Sequence, residues 1–286
     1  MRTRVVREGL YFGESPRWHE GRLWYSDFYD HAVHALGADG HDERMVEVEG
    51  QSSGLGWLPD GRLLLVSMVD RRLLRVEADG KVVPHADLSD LATGHCNDMV
   101  VDAQGRAYVG NFGFEIGAQR APGTPLPTAV LALVRPDGSV APAAEDLHFP
   151  NGTVITPDGR TMIIAESIGR RLTAFDIAPD GSLSGRRVWA DLSGVPVSPD
   201  GICLDAEGAV WAANALSPVA VRVAEGGRVL DELEFSQTCF ACMLGGDDGR
   251  HLYGLTAISS IHDDALAAKA GKVEVATVGV PHAGLP

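Results

Sequence analysis

Residues 149–167 read FPNGTVITPDGRTMIIAES. Two turn signals stand close together here, Pro150-Asn151-Gly152 and Pro157-Asp158-Gly159, and an apolar run from Met162 to Ala165 follows the second. Alone, the stretch reads as a strand, a tight Asp-Gly turn and a second strand. The same shape recurs as ESPRWHEGRLWYSDF (14–28), SGLGWLPDGRLLLVSM (53–68), NDMVVDAQGRAYVGN (97–111), DGICLDAEGAVWAAN (200–214) and ACMLGGDDGRHLYGLTA (241–257). The turn glycines are Gly21, Gly61, Gly105, Gly159, Gly208 and Gly249, spaced by 40, 44, 54, 49 and 41 residues.

Each interval has room for four short strands of about 5–6 residues and their turns. Further strand-like runs ending in turns fill the intervals: RRLLRVEADG, VLALVRPDG, RLTAFDIAPDG and VAVRVAEGG. No stretch carries the period of a long amphipathic helix. Six such units predict an all-β fold, a six-bladed β-propeller with four-stranded blades, formed by residues 1–286 as one domain. A two-sheet sandwich would leave the recurrence unexplained. Arg4-Val5-Val6-Arg7 and KVEVATVGV (272–280) both read as strands, and pairing them in one blade would close the ring and hide two edges. The Gly/Pro-rich spacer 113–128 is expected to be a surface loop, of a length that often covers a site.

The chain has 39 acidic and 24 basic residues, a formal charge of −15. That excess argues against a nucleic-acid partner, which needs a basic face. No run approaches the roughly 20 apolar residues of a membrane span. The opening MRTRVVREGLYFGES lacks the apolar stretch of a signal peptide, so a cytoplasmic location is expected, with Cys96, Cys203, Cys239 and Cys242 reduced. Cys239 and Cys242 form C-x-x-C without a second pair at zinc-finger spacing and read as small core residues. Core packing likewise accounts for the five tryptophans. Oligomeric state is open.

Counting back eight residues from each turn glycine reaches Ser53, Asn97, Asn151, Asp200 and Ala241; in the first unit the match is Glu14, seven back. Equivalent positions in propeller blades converge on the central channel. A glutamate, two asparagines and an aspartate should therefore share one small volume. Each of the last three, taken singly, also fits a local turn to its own backbone. Together, two carboxylates and two amides form an oxygen shell suited to a hard divalent cation, Ca²⁺ first, with Mg²⁺, Mn²⁺ or Zn²⁺ as alternatives.

Gly13-Glu14-Ser15-Pro16 with Trp18, Asn97-Asp98, Phe149-Pro150-Asn151-Gly152, Pro199-Asp200-Gly201 and the ending from Gly279 to Pro286 occur here in one order. In these motifs the chain resembles the senescence marker protein/gluconolactonase/luciferin-regenerating family of six-bladed propellers along essentially its full length. The resemblance implies Glu14, Asn151 and Asp200 as metal ligands. It implies Asn97 as a substrate contact near the metal, or as a fourth ligand as in the related diisopropylfluorophosphatase. The implied activity is a gluconolactonase-like hydrolase opening a small lactone, with Asp200 as general base towards water and ionised at pH 7 without a raised pKa.

Sugar-lactonase members often carry an arginine two residues before the Asn-Asp pair; this chain has His95 there. A neutral imidazole offers one donor and one acceptor in place of a cationic fork, which points His95 towards substrate contact and away from a sugar acid lactone. Cys96 reads as a packing residue with no electropositive neighbours to activate it. His148 is expected at a blade surface or pocket rim, and His262-Asp263-Asp264 in a solvated loop with some helical character. No G-x-S-x-G elbow supports a serine hydrolase. Two other functions fit the same residues: phosphotriester or other ester hydrolysis at the same ion, and a non-catalytic ligand-binding propeller with a structural cation.

Overall fold

In the computed structural model, which describes residues 2–115 and 123–286, six four-stranded antiparallel sheets form a six-bladed β-propeller. Part of the 113–128 spacer, residues 116–122, lies outside the described residues. Five blades are simple meanders. The sixth takes Thr238–Gly245, His251–Ala257 and Gly271–Thr277 from the end of the chain and Arg4–Leu10 from its beginning. Arg4 pairs with Val275 and Leu10 with Gly271, so the ring closes through its two ends as the sequence predicts.

The turn glycines carry out their expected job. All six have left-handed φ between 69° and 84°, a conformation that costs a residue with a Cβ about 1–2 kcal/mol. At the quoted stretch, Gly159 donates to Thr156 O at 2.8 Å while the Asp158 carboxylate accepts from the Arg160 amide at 3.1 Å. The Asp-Gly pair thereby closes the hairpin between Pro150–Ile155 and Thr161–Glu166.

The first strand of every blade is innermost. Gly13–His19, Ser52–Trp57, Cys96–Val101, Pro150–Ile155, Pro199–Leu204 and Thr238–Gly245 touch one another in a closed circuit and are almost wholly buried. Fourth strands such as Asp42–Glu47 face water. Alternating side chains from adjacent blades interleave between the sheets: Val33, Leu55 and Leu65 meet between the first two blades, and Val154, Ile163, Ile202 and Val210 between the fourth and fifth. Burying each such side chain contributes roughly 1.5–3 kcal/mol. Among the described residues the one helix is α1 (His262–Ala268), far too short to cross a membrane.

Candidate active site

Each inner strand breaks step with its neighbour at one place. The register shifts fall at Glu14/Arg17, Ser52/Leu55, Cys96/Met99, Pro150/Thr153, Pro199/Ile202 and Cys239/Ala241. A bulge bends a strand and re-aims the side chains on it. These six bulges coincide with the register found by counting back from the turn glycines. Glu14, Asn97, Asn151 and Asp200 line one cavity of about 670 Å³, each 6–8% exposed. The other two members, Ser53 and Ala241, are fully buried and do not line the cavity.

The Asn-Gly pair is not a turn. Gly152 has no left-handed φ, and a Cβ there would lie 2.4 Å from the Ile202 amide nitrogen and 2.6 Å from the Asp200 carbonyl oxygen. Gly201 meets Ala241 Cα at 2.7 Å in the same way. Glycine follows the candidate ligand because the next blade's inner strand lies against it. That contact holds Asn151 and Asp200 at a fixed spacing.

Burial raises the pKa of both carboxylates. Asp200 is pushed up to about 8 by desolvation and then by the charge of Asp98, against a hydrogen bond from Asn151. Glu14 is raised by desolvation and by Asp200. Without a cation beside it, burial therefore holds the Asp200 proton well above the range of an isolated aspartate. The Arg17 guanidinium offsets the Glu14 charge only slightly and hydrogen-bonds neither carboxylate: its Nη2 donates to Asp98 at 2.5 Å and to Met99 O at 2.6 Å, and its Nε donates to Leu55 O at 3.0 Å. Two buried carboxylates with no ammonium or guanidinium hydrogen-bonded to them, among the described residues, suit a bound cation. No three His, Cys, Asp or Glu side chains cluster at ligating distance among those residues, so the donor set would depend on the two asparagine amides.

Asn151 is anchored from outside. Its Nδ2 donates to Ser167 Oγ at 3.2 Å, and that hydroxyl donates to Pro199 O at 2.7 Å. Next to it, the fully buried Glu166 accepts from the His148 amide, from Arg171 and from Thr173, and its pKa is lowered by these bonds despite burial. His148 itself is half-buried and is not among the residues lining the cavity.

His95 lines the cavity, half-buried, and burial lowers its pKa. It is a neutral imidazole at pH 7. Cys96 is buried, its thiol pushed up to about 12 by desolvation, and it packs in the core. Cys239 and Cys242 are free thiols in the core cluster of the last two blades. The loop expected at His262 is the first turn of α1, and His262 lines the cavity with its ring edge-on to Tyr29 at 5.0 Å.

Apart from His95, sequence reasoning missed the upper wall of the cavity. Two residues before the channel register stand Phe12, Gln51, His95 and Phe149, and all four line the site. The residue after the second strand of the first five blades supplies more: Phe28, Met68, Phe112, Ser167 and Ala215. The repeat count that found Glu14 and Asp200 would have found these as well, had it been extended to neighbouring registers.

A family model described as the SMP-30/Gluconolactonase/LRE-like region matches residues 12–258. A regucalcin of Danio rerio is 26% identical over 276 residues, covering 92% of this chain and 88% of the relative. The pentonolactonase XacC of Haloferax volcanii is 27% identical over 262 residues, covering 89% of this chain and 84% of its own. The crystal structure of regucalcin from Agrobacterium tumefaciens, a calcium-binding protein, superposes with a TM-score of 0.83 at 24% identity, covering 100% of this chain and 96% of that one.

Proposed function

This chain belongs to the SMP-30/Gluconolactonase/LRE-like family, and from that premise we propose that it is a divalent-cation-dependent hydrolase that opens the ring of a small lactone. The observation that carries the reading is the convergence of Glu14, Asn97, Asn151 and Asp200 at the floor of one cavity. A pentonolactonase and a calcium-binding protein among the similar proteins support it. Glu14, Asn151 and Asp200 would hold the cation, Ca²⁺ first and Mg²⁺, Mn²⁺ or Zn²⁺ as alternatives, with Asn97 as a fourth donor or a substrate contact.

The chemistry such a cation supplies when bound is Lewis-acid polarisation of the lactone carbonyl. The chain's own residues do the rest. Asn97 and His95 face the substrate and orient its ring by hydrogen bonds. Asp200, which a bound cation would keep ionised at neutral pH, accepts a proton from water as the oxygen–carbonyl bond forms. The ring C–O bond then breaks, and the proton held at Asp200 passes to the departing ring oxygen, giving a hydroxy acid. The aromatic wall keeps other water out of the floor.

Hydrolysis of a lactone and ester panel, measured after chelation and again with each cation restored, tests the reading. Turnover should vanish on chelation and return with Ca²⁺. No lactone hydrolysis with any cation would overturn it in favour of a ligand-binding propeller, and faster phosphotriester than lactone turnover would move the activity to phosphorus.

A further inference from the structure

We propose that the lactone accepted here carries an uncharged, apolar body, an aryl or alkyl substituent in place of the hydroxyl groups of a sugar. The inference rests on the lactonase reading above and names its substrate class.

The cavity has two tiers of opposite chemistry. Its floor is the oxygen cluster of Glu14, Asn97, Asn151 and Asp200. Its wall above is mainly aromatic, with Gln51, His95, Ser167, Ser260 and His262 as polar members: Phe149 stacks on Phe112 with centroids 4.7 Å apart and planes 9° from parallel, and Phe12 packs against Phe28 at 5.3 Å and Phe240 at 4.9 Å. Among the described residues no lysine or arginine lines this space. A polyhydroxylated ring would need a donor or acceptor for each hydroxyl, and its unpaired ones would lose their water without replacement. An apolar ring loses nothing and gains the rings' surface.

Two further observations point the same way. Phe149 holds φ at 61°, a conformation that is a genuine outlier for a bulky aromatic residue and gathers at ligand-binding positions. Its register partner on the wall, Gln51, has φ at 66°. Large apolar side chains left exposed also concentrate at the mouth. Ile168 and Ile261 line the cavity, while Val69 and Leu216 directly follow the lining residues Met68 and Ala215. Monomeric proteins keep such surface scattered, and its grouping marks a binding region.

The test uses the full chain with Ca²⁺ and three probes: 3,4-dihydrocoumarin, δ-nonalactone and D-glucono-δ-lactone. The two apolar lactones should be turned over with kcat/KM at least about 30-fold above the sugar lactone, the scale of one buried apolar group. Equal or better turnover of the sugar lactone overturns the inference while leaving the lactonase reading intact. If no lactone is hydrolysed, that reading fails and binding decides the inference alone. Calorimetry with 3,4-dihydroquinolin-2-one, the lactam counterpart of the aryl lactone, should show binding, whereas D-glucono-δ-lactam should show none. Phe149→Leu, chosen to keep an apolar side chain while removing the stack, should weaken lactam binding about 10-fold; Phe112→Leu should do the same from the other ring. Unaltered affinity in both folded variants, or no lactam binding by the parent protein, sinks the proposal.

Discussion

The amide of Asn151 reaches the hydroxyl of Ser167 at 3.2 Å, and through it the carbonyl of Pro199 in the next blade. Two short bonds thus tie a candidate ligand on the fourth blade to the strand that carries Asp200. Groups that orient a ligand typically account for about 10–100-fold in metal affinity. Ser167→Ala is expected to fold normally and to bind Ca²⁺ about 10-fold more weakly by calorimetry. Unchanged affinity would remove Ser167 from the support of the site.

Asp200 allows a stability test that needs no substrate. Its metal-free pKa is raised from 3.8 to about 8, so the folded state holds this proton more tightly than the unfolded chain. The associated stability is complete below pH 3.8 and is lost as the pH rises towards 8. The chelated protein should therefore lose Tm across that window relative to Asp200→Asn, which has no charge to bury. Ca²⁺ should raise the Tm of the parent protein, most strongly near pH 8, and leave the variant's unchanged. Parallel Tm curves for the two chelated proteins would contradict the burial argument.

Gly152 and Gly159 separate close approach from turn geometry. Gly159→Ala meets nothing within 4 Å and pays only for its φ of 69°, about 1–2 kcal/mol. Gly152→Ala would drive a methyl into the backbone of Ile202 and Asp200, costing about 3 kcal/mol or more and weakening Ca²⁺ binding too. Urea unfolding of both variants compares them directly; a milder effect at Gly152 would refute the close-contact role.

Glu166 supports the same corner. Its pKa is lowered, with the Arg171, Thr173 and His148 hydrogen bonds outweighing burial. The stability it contributes is present above the ordinary value of 4.5 and disappears as the pH falls through the depressed one. Glu166→Gln should cost about 1–3 kcal/mol at pH 7, and the deficit against the parent protein should shrink in acid. A deficit that stays constant from pH 7 to pH 3 would show that its charge is irrelevant.

The repeat made the propeller legible from residues alone. Turn glycines need left-handed φ wherever they occur, and second strands need alternating side chains, so local rules expose six units and even the closing pair, Arg4–Leu10 with Gly271–Thr277. The floor of the site was legible for the same reason, since one register repeats around a ring. The role of Gly152 was not, because a turn glycine and a glycine crowded by another blade read alike in one dimension. Nor was the protonation of Asp200, which depends on Asp98 and on how much water the folded ring excludes. The aromatic wall joins Phe12, Phe112, Phe149 and Phe240 from four blades. Neighbouring blades bring Phe112 onto Phe149, but only ring closure brings Phe12 onto Phe240, and with it the sequence's separate repeats become one cavity with a polar floor and a largely apolar mouth.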